Sequence, residues 1–290
     1  MQAFQYEAPA TLNDALAALN TTSEIQTQVL AGGTDAIVQM RSRPAEPRRF
    51  IDIKKLAETN ILAVENGVWR VGAAVPTAIL HAHAEFDAAF PGLSEAADLI
   101  GSSQIQSRAT LGGNLCNASP AADSVPALVA LDAQCVIAGA GGTRTVAAAD
   151  IPVGPGRTSL ADNEFVVEFH IPQPAGKSAD AYLRFIPRTE MDIAVVGAGV
   201  SLTLDDSGTC TAARVVLGAV GPTLIVVPDA ENALIGSNLN EDALNAAAAA
   251  SSQAATPISD KRGTVEYRRK VAGVLTRRST LIAAERARAR

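Results

Sequence analysis

Two short glycine pairs restrict this chain more than any other feature: Ala31-Gly32-Gly33-Thr34-Asp35 and Thr110-Leu111-Gly112-Gly113-Asn114. A glycine pair opens backbone conformations closed to other residues and lets peptide N–H groups approach a ligand closely, which is how such loops cradle phosphate oxygens. Two cradles in one chain suggest a diphosphate. Each pair follows a predicted strand, residues 27–30 for the first, and runs on into a stretch that reads as helical or extended. An ordinary turn is the alternative for either pair taken alone. Neither pair contains a lysine.

A length of 290 residues points to roughly two or three domains. With 48% hydrophobic and 19% charged residues the composition is that of a soluble folded protein. A formal charge of −6 argues against a nucleic-acid partner, whose footprint is a basic patch or stripe. Basic residues do gather late, in Lys261-Arg262, Arg268-Arg269-Lys270, Arg277-Arg278 and the closing Arg286, Arg288 and Arg290; this cluster reads as a solvated helix face or a partner surface. Cys116, Cys135 and Cys210 are too few and too scattered for a disulfide framework, so a reducing cytoplasm is expected. Residues 1–7 lack the basic and apolar regions of a secretion signal. The longest apolar stretch, residues 193–204, is well short of the ~20 residues that span a bilayer and reads as a buried strand pair or strand-turn.

Residues 4–6 predict a strand, and Thr11 predicts the N-cap of a helix with Leu12, Ala15, Leu16 and Leu19 at helical spacing. The strand into the first glycine pair makes this a βαβ-like start. Pro44 and Pro47 break the next segment, residues 49–53 predict a further strand, and composition changes near Lys54. Residues 61–64 and 68–72 are extended runs joined by Asn66-Gly67, a strong hairpin signal. Thr77 is expected to cap a helix through Phe86, and Pro91 precedes another reaching residues 100–102. Strands are expected at 134–138, 144–146, 164–171 and 181–185, with a linker at 174–178 as the main domain boundary. Strands at 211–218 and 224–227, then helices at 241–253 and from 264 to the end, suggest helices packed on one face of an antiparallel sheet.

Several familiar motifs fail. Gly197-Ala198-Gly199 opens like a dinucleotide fingerprint, but Leu202 stands where the third glycine belongs, which favours a buried strand. Gly176-Lys177-Ser178 resembles the end of a phosphate loop whose first glycine is replaced by Ile171. His81 and His83, two apart on a predicted helix, point to different sides and cannot share one ion. No nucleophile elbow occurs. No metal ligand and no catalytic residue is assigned.

The longer context of the glycine pairs is more informative. Residues 29–36 (VLAGGTDA), 110–123 (TLGGNLCNASPAAD), 184–194 (RFIPRTEMDIA) and 259–278 (SDKRGTVEYRRKVAGVLTRR) occur in order. Together they resemble the FAD-binding medium subunit of the xanthine dehydrogenase and carbon monoxide dehydrogenase family of molybdenum hydroxylases. The resemblance implies an α+β fold in which a two-subdomain FAD-binding module of the vanillyl-alcohol-oxidase (PCMH-like) type occupies residues 1–176, with subdomains at about 1–54 and 55–176. A carbon monoxide dehydrogenase flavoprotein-like C-terminal domain follows at 177–290, with a three-stranded antiparallel sheet and helices.

The resemblance also implies site residues. Gln28, Val29, Leu30, Ala31, Gly32, Gly33, Thr34 and Asp35 in one loop, and Ala109, Thr110, Leu111, Gly112, Gly113 and Asn114 in the other, would hold the diphosphate and ribityl groups. That agrees with the physical reading, in which peptide N–H groups and the Thr34 and Thr110 hydroxyls replace lysine as donors. Asp123 would accept hydrogen bonds on the adenosine or ribityl side, a helix N-cap being its alternative. Ile100 and Phe165-Val166 would lie against the isoalloxazine or adenine, with core packing as the alternative. Leu183 and Arg184 complete the set. Arg184 stands where close relatives often have lysine, a cation that stabilises negative charge on reduced flavin.

The family's chemistry then assigns the rest to partners. A molybdopterin-binding large subunit hydroxylates the substrate, a small subunit relays electrons through [2Fe–2S] clusters, and FAD on this chain passes them on, in a dimer of heterotrimers. FAD is expected to be non-covalent, because neither glycine loop contains a histidine or cysteine, although Cys116 is close. The substrate stays open among purine, aldehyde, carbon monoxide and N-heterocycle, and the acceptor among NAD, quinone and oxygen. The alternatives are a free-standing flavin oxidase or reductase on the same module, and a non-enzymatic assembly subunit.

Overall fold

The computed structural model describes residues 4–21, 25–42, 48–188 and 191–290; Pro44, Pro47 and Thr189-Glu190 of the third family motif lie outside the described residues. The chain opens with β1 (Phe4–Glu7), α1 (Leu12–Asn20), β2 (Gln26–Leu30), α2 (Ala36–Ser42) and β3 (Arg48–Asp52). Thr11 is extended and its hydroxyl accepts from Asp14 N at 3.2 Å, so the helix starts where the sequence places it. The three strands are parallel in the order β1-β3-β2, with β3 buried along its whole length. Leu30 lies opposite Asp52, which brings the first glycine loop and the segment after β3 together at the carboxyl ends of the strands. That end of an open parallel sheet is where ligands bind.

A second sheet has the order β4-β5-β10-β6-β7, from β4 (Leu62–Glu65), β5 (Val68–Gly72), β6 (Gln134–Gly139), β7 (Gly142–Ala147) and β10 (Phe165–Pro172). The β4–β5 hairpin turns at Asn66 (φ 53°) and Gly67 (φ 77°), the two left-handed positions a type I′ turn requires. Between β5 and β6 lie α3 (Thr77–Ala82), α4 (Ala84–Ala89), α5 (Pro91–Asp98), α6 (Ser103–Gln106), α7 (Leu111–Cys116) and α8 (Ser124–Ala130); β8 (Pro152–Gly154) and β9 (Arg157–Thr158) form a small ribbon before β10. The single helix expected from Thr77 to Phe86 is instead α3 and α4. His83 interrupts it and its Nδ1 accepts from Phe86 N at 3.3 Å, starting α4. Thr77 is the first helical residue rather than the cap, because its hydroxyl donates to the Gln106 carbonyl at 3.3 Å. Among the described residues no group of His, Cys, Asp and Glu is placed to hold a metal ion, and no helix is long and apolar enough to cross a membrane.

The C-terminal part contains β11 (Lys177–Phe185), β12 (Val196–Leu204), β13 (Cys210–Gly218), the two-residue β14 (Ile225–Val226), α9 (Pro228–Leu234), α10 (Glu241–Ala254) and α11 (Val265–Arg288). The three long strands are antiparallel, with β14 added at one edge. The apolar stretch expected as a strand pair or strand-turn is one nine-residue strand, β12. Its glycines serve packing: a Cβ on Gly199 would stand 2.7 Å from the Pro126 carbonyl oxygen, so α8 lies directly on this face. On the opposite face Ala198, Val200 and Leu202 share a core with Leu244 of α10 and Ala272, Leu275 and Ala283 of α11. A separate core that includes Ile51, Ile53, Ala74, Ala138 and Phe165 joins the first two sheets.

Part of the late basic cluster is tied into the fold, while Lys261, Arg269, Lys270, Arg278, Arg288 and Arg290 are exposed, as a solvated helix face requires. Arg268 is 4% exposed, donates to the Val195 carbonyl at 3.1 Å and pairs with Asp260 at 2.6 Å. Arg269 donates to the Ala255 carbonyl at 2.9 Å, and Arg277 pairs with Glu241 at 2.6 Å. Arg286 donates to the Asp180 carbonyl at 3.0 Å and pairs with Glu95, while Arg290 reaches the Ser178 carbonyl at 2.6 Å and the Ala89 carbonyl at 2.8 Å. The guanidinium fork suits this role, since several carbonyls can be satisfied by one always-charged group. The long helix is thereby tied both to its own sheet and to α4 and α5.

Candidate functional site

The first glycine loop leaves β2 at Leu30 and enters α2. Gly33 takes a left-handed φ of +78°, and a Cβ on Gly32 would stand 2.1 Å from the Arg108 carbonyl oxygen and 3.1 Å from Ala109 Cα. The first loop therefore touches the segment leading to the second, and only glycine permits the approach. Residues 32–34 present peptide N–H groups with no acceptor among the described residues.

The second pair differs from its expected form as a turn after a strand. It is the opening of α7: Thr110 is extended (φ −137°, ψ 155°) and its hydroxyl accepts from Gly113 N at 2.9 Å as an N-cap. Thr110 is anchored by a bridge to Pro76, with Thr77 N donating to the Ala109 carbonyl at 2.8 Å. Glycine is needed at 112 because a Cβ there would lie 2.5 Å from the Ala73 carbonyl oxygen. Ala73 N in turn donates to the Val167 carbonyl at 2.8 Å, so this loop rests on the second sheet.

The two loops face each other across a cleft of about 380 Å³, within the size range of small-molecule sites. Its floor includes the buried Ile53, Ala73, Phe165 and Val166. Gln39 Nε2 donates to Asn117 Oδ1 at 2.9 Å, linking α2 to the end of α7 across the cleft. Glu164 also lines it; the Arg144 guanidinium at 2.7 Å and the Ala161 N–H hold its carboxyl down at about 2. Cys116 lines the cleft as well, but burial pushes its thiol up to about 12, so it stays protonated and is a poor nucleophile.

Of the residues named from sequence, 28–35, Ile100, Ala109, Thr110, 112–114 and Phe165 line this one cleft. Four stand outside its lining. Leu111 is 1% exposed and points into the core, and Leu183 packs against the C-terminal core. Asp123 and Arg184 form a buried ion pair at 2.5 Å, and the Tyr182 hydroxyl donates to the other Asp123 oxygen at 2.9 Å. Burial pushes the Asp123 carboxyl up to about 6, with Arg184 and Tyr182 drawing it part of the way back. The N-cap alternative for Asp123 fails, since its backbone is helical and its side chain makes no capping bond. This cluster adjoins the cleft through Ser124, whose hydroxyl donates to Asn114 Oδ1 at 2.7 Å.

Gln39 and Asn117 went unnamed in the sequence reading. The signal that marks them is helical spacing, Gln39 four residues after Asp35 and Asn117 three after Asn114, which sets each on the same helix side as a loop residue. The donor set and floor fit an anionic dinucleotide with a planar ring. Two glycines that a Cβ would displace, a row of unpaired peptide donors and an apolar base are what such a ligand requires.

Residues 2–174 match the family described as FAD binding domain in molybdopterin dehydrogenase, and residues 181–283 match the CO dehydrogenase flavoprotein C-terminal domain. The chain is 33% identical over 249 residues to the nicotinate dehydrogenase FAD-subunit of Eubacterium barkeri, covering 85% of this chain and 84% of that protein. It is 33% identical over 275 residues to the xanthine dehydrogenase FAD-binding subunit of Escherichia coli O157:H7, covering 94% and 93%. Carbon monoxide dehydrogenase from Hydrogenophaga pseudoflava, solved without the Mo-pyranopterin moiety of its molybdenum cofactor, superposes with a TM-score of 0.92 at 32% identity over 98% of both chains. With its α+β architecture and its FAD-binding module, the chain belongs to the family of FAD-binding subunits of the xanthine, carbon monoxide and nicotinate dehydrogenases, the oxidoreductase flavoprotein components of molybdenum hydroxylases.

Proposed function

We propose that this chain is the FAD-carrying electron-transfer subunit of a cytoplasmic molybdenum hydroxylase built from three kinds of subunit. The observation that carries the proposal is the meeting of both glycine loops at one cleft, with peptide donors on one side and an apolar floor below. Residues 28–35 and 109–114 would hold the diphosphate and ribityl groups, and Ile100, Phe165 and Val166 would receive the flat ring. The Asp123–Arg184 pair would act from behind the second loop, as a buried charge cluster hydrogen-bonded to its neighbours. Bound non-covalently, FAD supplies the redox chemistry, taking electrons from [2Fe–2S] clusters of a small subunit and releasing them to an external acceptor.

The protein's own task is to bind and orient. The cleft's buried floor excludes water from one side of the ligand. No side chain is assigned as acid or base.

Affinity purification of the tagged chain from cells that produce the complex tests this. Two further subunits, molybdenum, and about four iron atoms per flavin, two for each [2Fe–2S] cluster, are expected. A chain that purifies alone with flavin and oxidises a substrate by itself supports a free-standing oxidase instead. Partners without flavin would return the assembly reading.

A further inference from the structure

The first glycine loop contains no lysine, yet a lysine stands behind it. Lys54 lies two residues beyond the end of β3, 23 residues after Ala31 in sequence, and its Nζ donates to the Ala31 carbonyl at 2.8 Å. The same ammonium pairs with Asp52 at 2.7 Å, and Lys54 N donates to that carboxylate at 2.9 Å. Asp52 is 4% exposed and its second oxygen accepts from the Tyr6 hydroxyl at 2.5 Å. Burial opposes ionisation of Asp52, but the bonds from Lys54 and Tyr6 outweigh it and hold the carboxyl below its ordinary range. Parallel pairing of β2 with β3, extended by Ile53 N donating to the Leu30 carbonyl at 3.1 Å, sets Lys54 beside the loop.

In a trans peptide the carbonyl and the following N–H point in opposite directions. Fixing the Ala31 carbonyl on Lys54 therefore aims the Gly32 N–H away from Lys54. Ala31 and Gly32 line the cleft and Lys54 does not, and the Gly32 N–H has no acceptor among the described residues. A hydrogen bond to an ammonium is roughly twice as strong as one between neutral groups, so the orientation is firmly held.

We propose that Lys54, anchored by Asp52 and Tyr6, is a positioning residue that locks the Ala31–Gly32 peptide with its N–H presented to the cofactor's diphosphate. The inference rests on the FAD reading and deepens it. A lysine in a nucleotide-hydrolysing loop touches phosphate directly; this one acts through a peptide group and places its positive charge behind the loop.

The test compares flavin-free full-length chains, titrated with FAD and separately with riboflavin, which shares the ring but has no phosphate. Lys54→Met is expected to raise the FAD dissociation constant about tenfold or more, to leave riboflavin binding within about twofold, and to leave the far-ultraviolet spectrum unchanged. Lys54→Arg, which keeps a charged donor, is expected to recover most of the FAD affinity and serves as the second comparison if the methionine variant folds poorly. Unchanged FAD binding by Lys54→Met overturns the proposal, and so does an equal loss of FAD and riboflavin, which marks a purely structural role. If both variants are unstable and neither binds riboflavin, the role is likewise structural and the proposal fails. A wild-type chain that takes up no FAD overturns the functional reading itself, a result distinct from either.

Discussion

Gly32→Ala is expected to weaken FAD binding by about 10- to 100-fold, the equivalent of the roughly 1–3 kcal/mol that overpacking costs. The new methyl would stand 2.1 Å from the Arg108 carbonyl oxygen, and backbone, unlike a flexible side chain, cannot swing aside. The two loops must part, and donors placed for one diphosphate no longer converge. Gly112→Ala should behave alike, since its methyl meets the Ala73 carbonyl oxygen at 2.5 Å. Gly141→Ala, on the β6–β7 turn with no atom within 4 Å, is the control and should bind FAD as the wild type does. Titration followed by flavin fluorescence reads all three. Equal affinity in Gly32→Ala and Gly141→Ala contradicts a cleft formed by contact between the loops.

The second large effect lies in the Asp123–Arg184 pair, whose side chains are 10% and 6% exposed. Asp123→Ala is expected to destabilise the fold by about 3–5 kcal/mol, because it leaves a guanidinium buried and without its counter-ion. Arginine cannot shed its charge, whereas a carboxyl can take a proton. Arg184→Met should therefore cost less, and its cost should depend on pH. The Asp123 carboxyl, raised from its ordinary 3.8 to about 6 by burial even beside Arg184, rises further without it. A group whose folded pKa is raised stabilises fully below its unfolded pKa and loses that contribution as pH climbs through the folded one. Arg184→Met should thus lose stability steadily from about pH 4 through neutrality, while the double variant Asp123→Ala/Arg184→Met should be more stable than Asp123→Ala alone. Urea unfolding across this pH range measures both. A double variant less stable than Asp123→Ala would show that the cost is lost packing rather than an unpaired charge.

The first glycine loop was legible in sequence because local signals agree there: an extended run, two glycines, then a helix. The second was harder. Two glycines each cost about 1 kcal/mol in a helix, so propensity speaks for a turn. The Thr110 cap and the close seat of Gly112 on Ala73 override that, and the seat is a tertiary contact. The charge of the late arginines was equally visible, but its direction was not. Four of them, Arg268, Arg269, Arg286 and Arg290, reach carbonyls at Val195, Ala255, Asp180 and Ser178, which lie 14 to 112 residues away and carry no side-chain signature. Asp123 and Arg184 share a motif set that reads as ligand contacts, and their pairing with each other was not legible, because it arises where Tyr182 and Arg184 project from the same face of β11 toward the start of α8. Lys54 shows the same limit from the other side: a motif without lysine acquires one through strand pairing.

The most direct test is stoichiometric: titrate the flavin-free chain with FAD and follow the flavin spectrum to saturation. One FAD per chain is expected, bound at both glycine loops and released intact when the protein is denatured in acid. A folded chain that shows no saturable uptake of FAD contradicts the assignment of the two loops to a single FAD site.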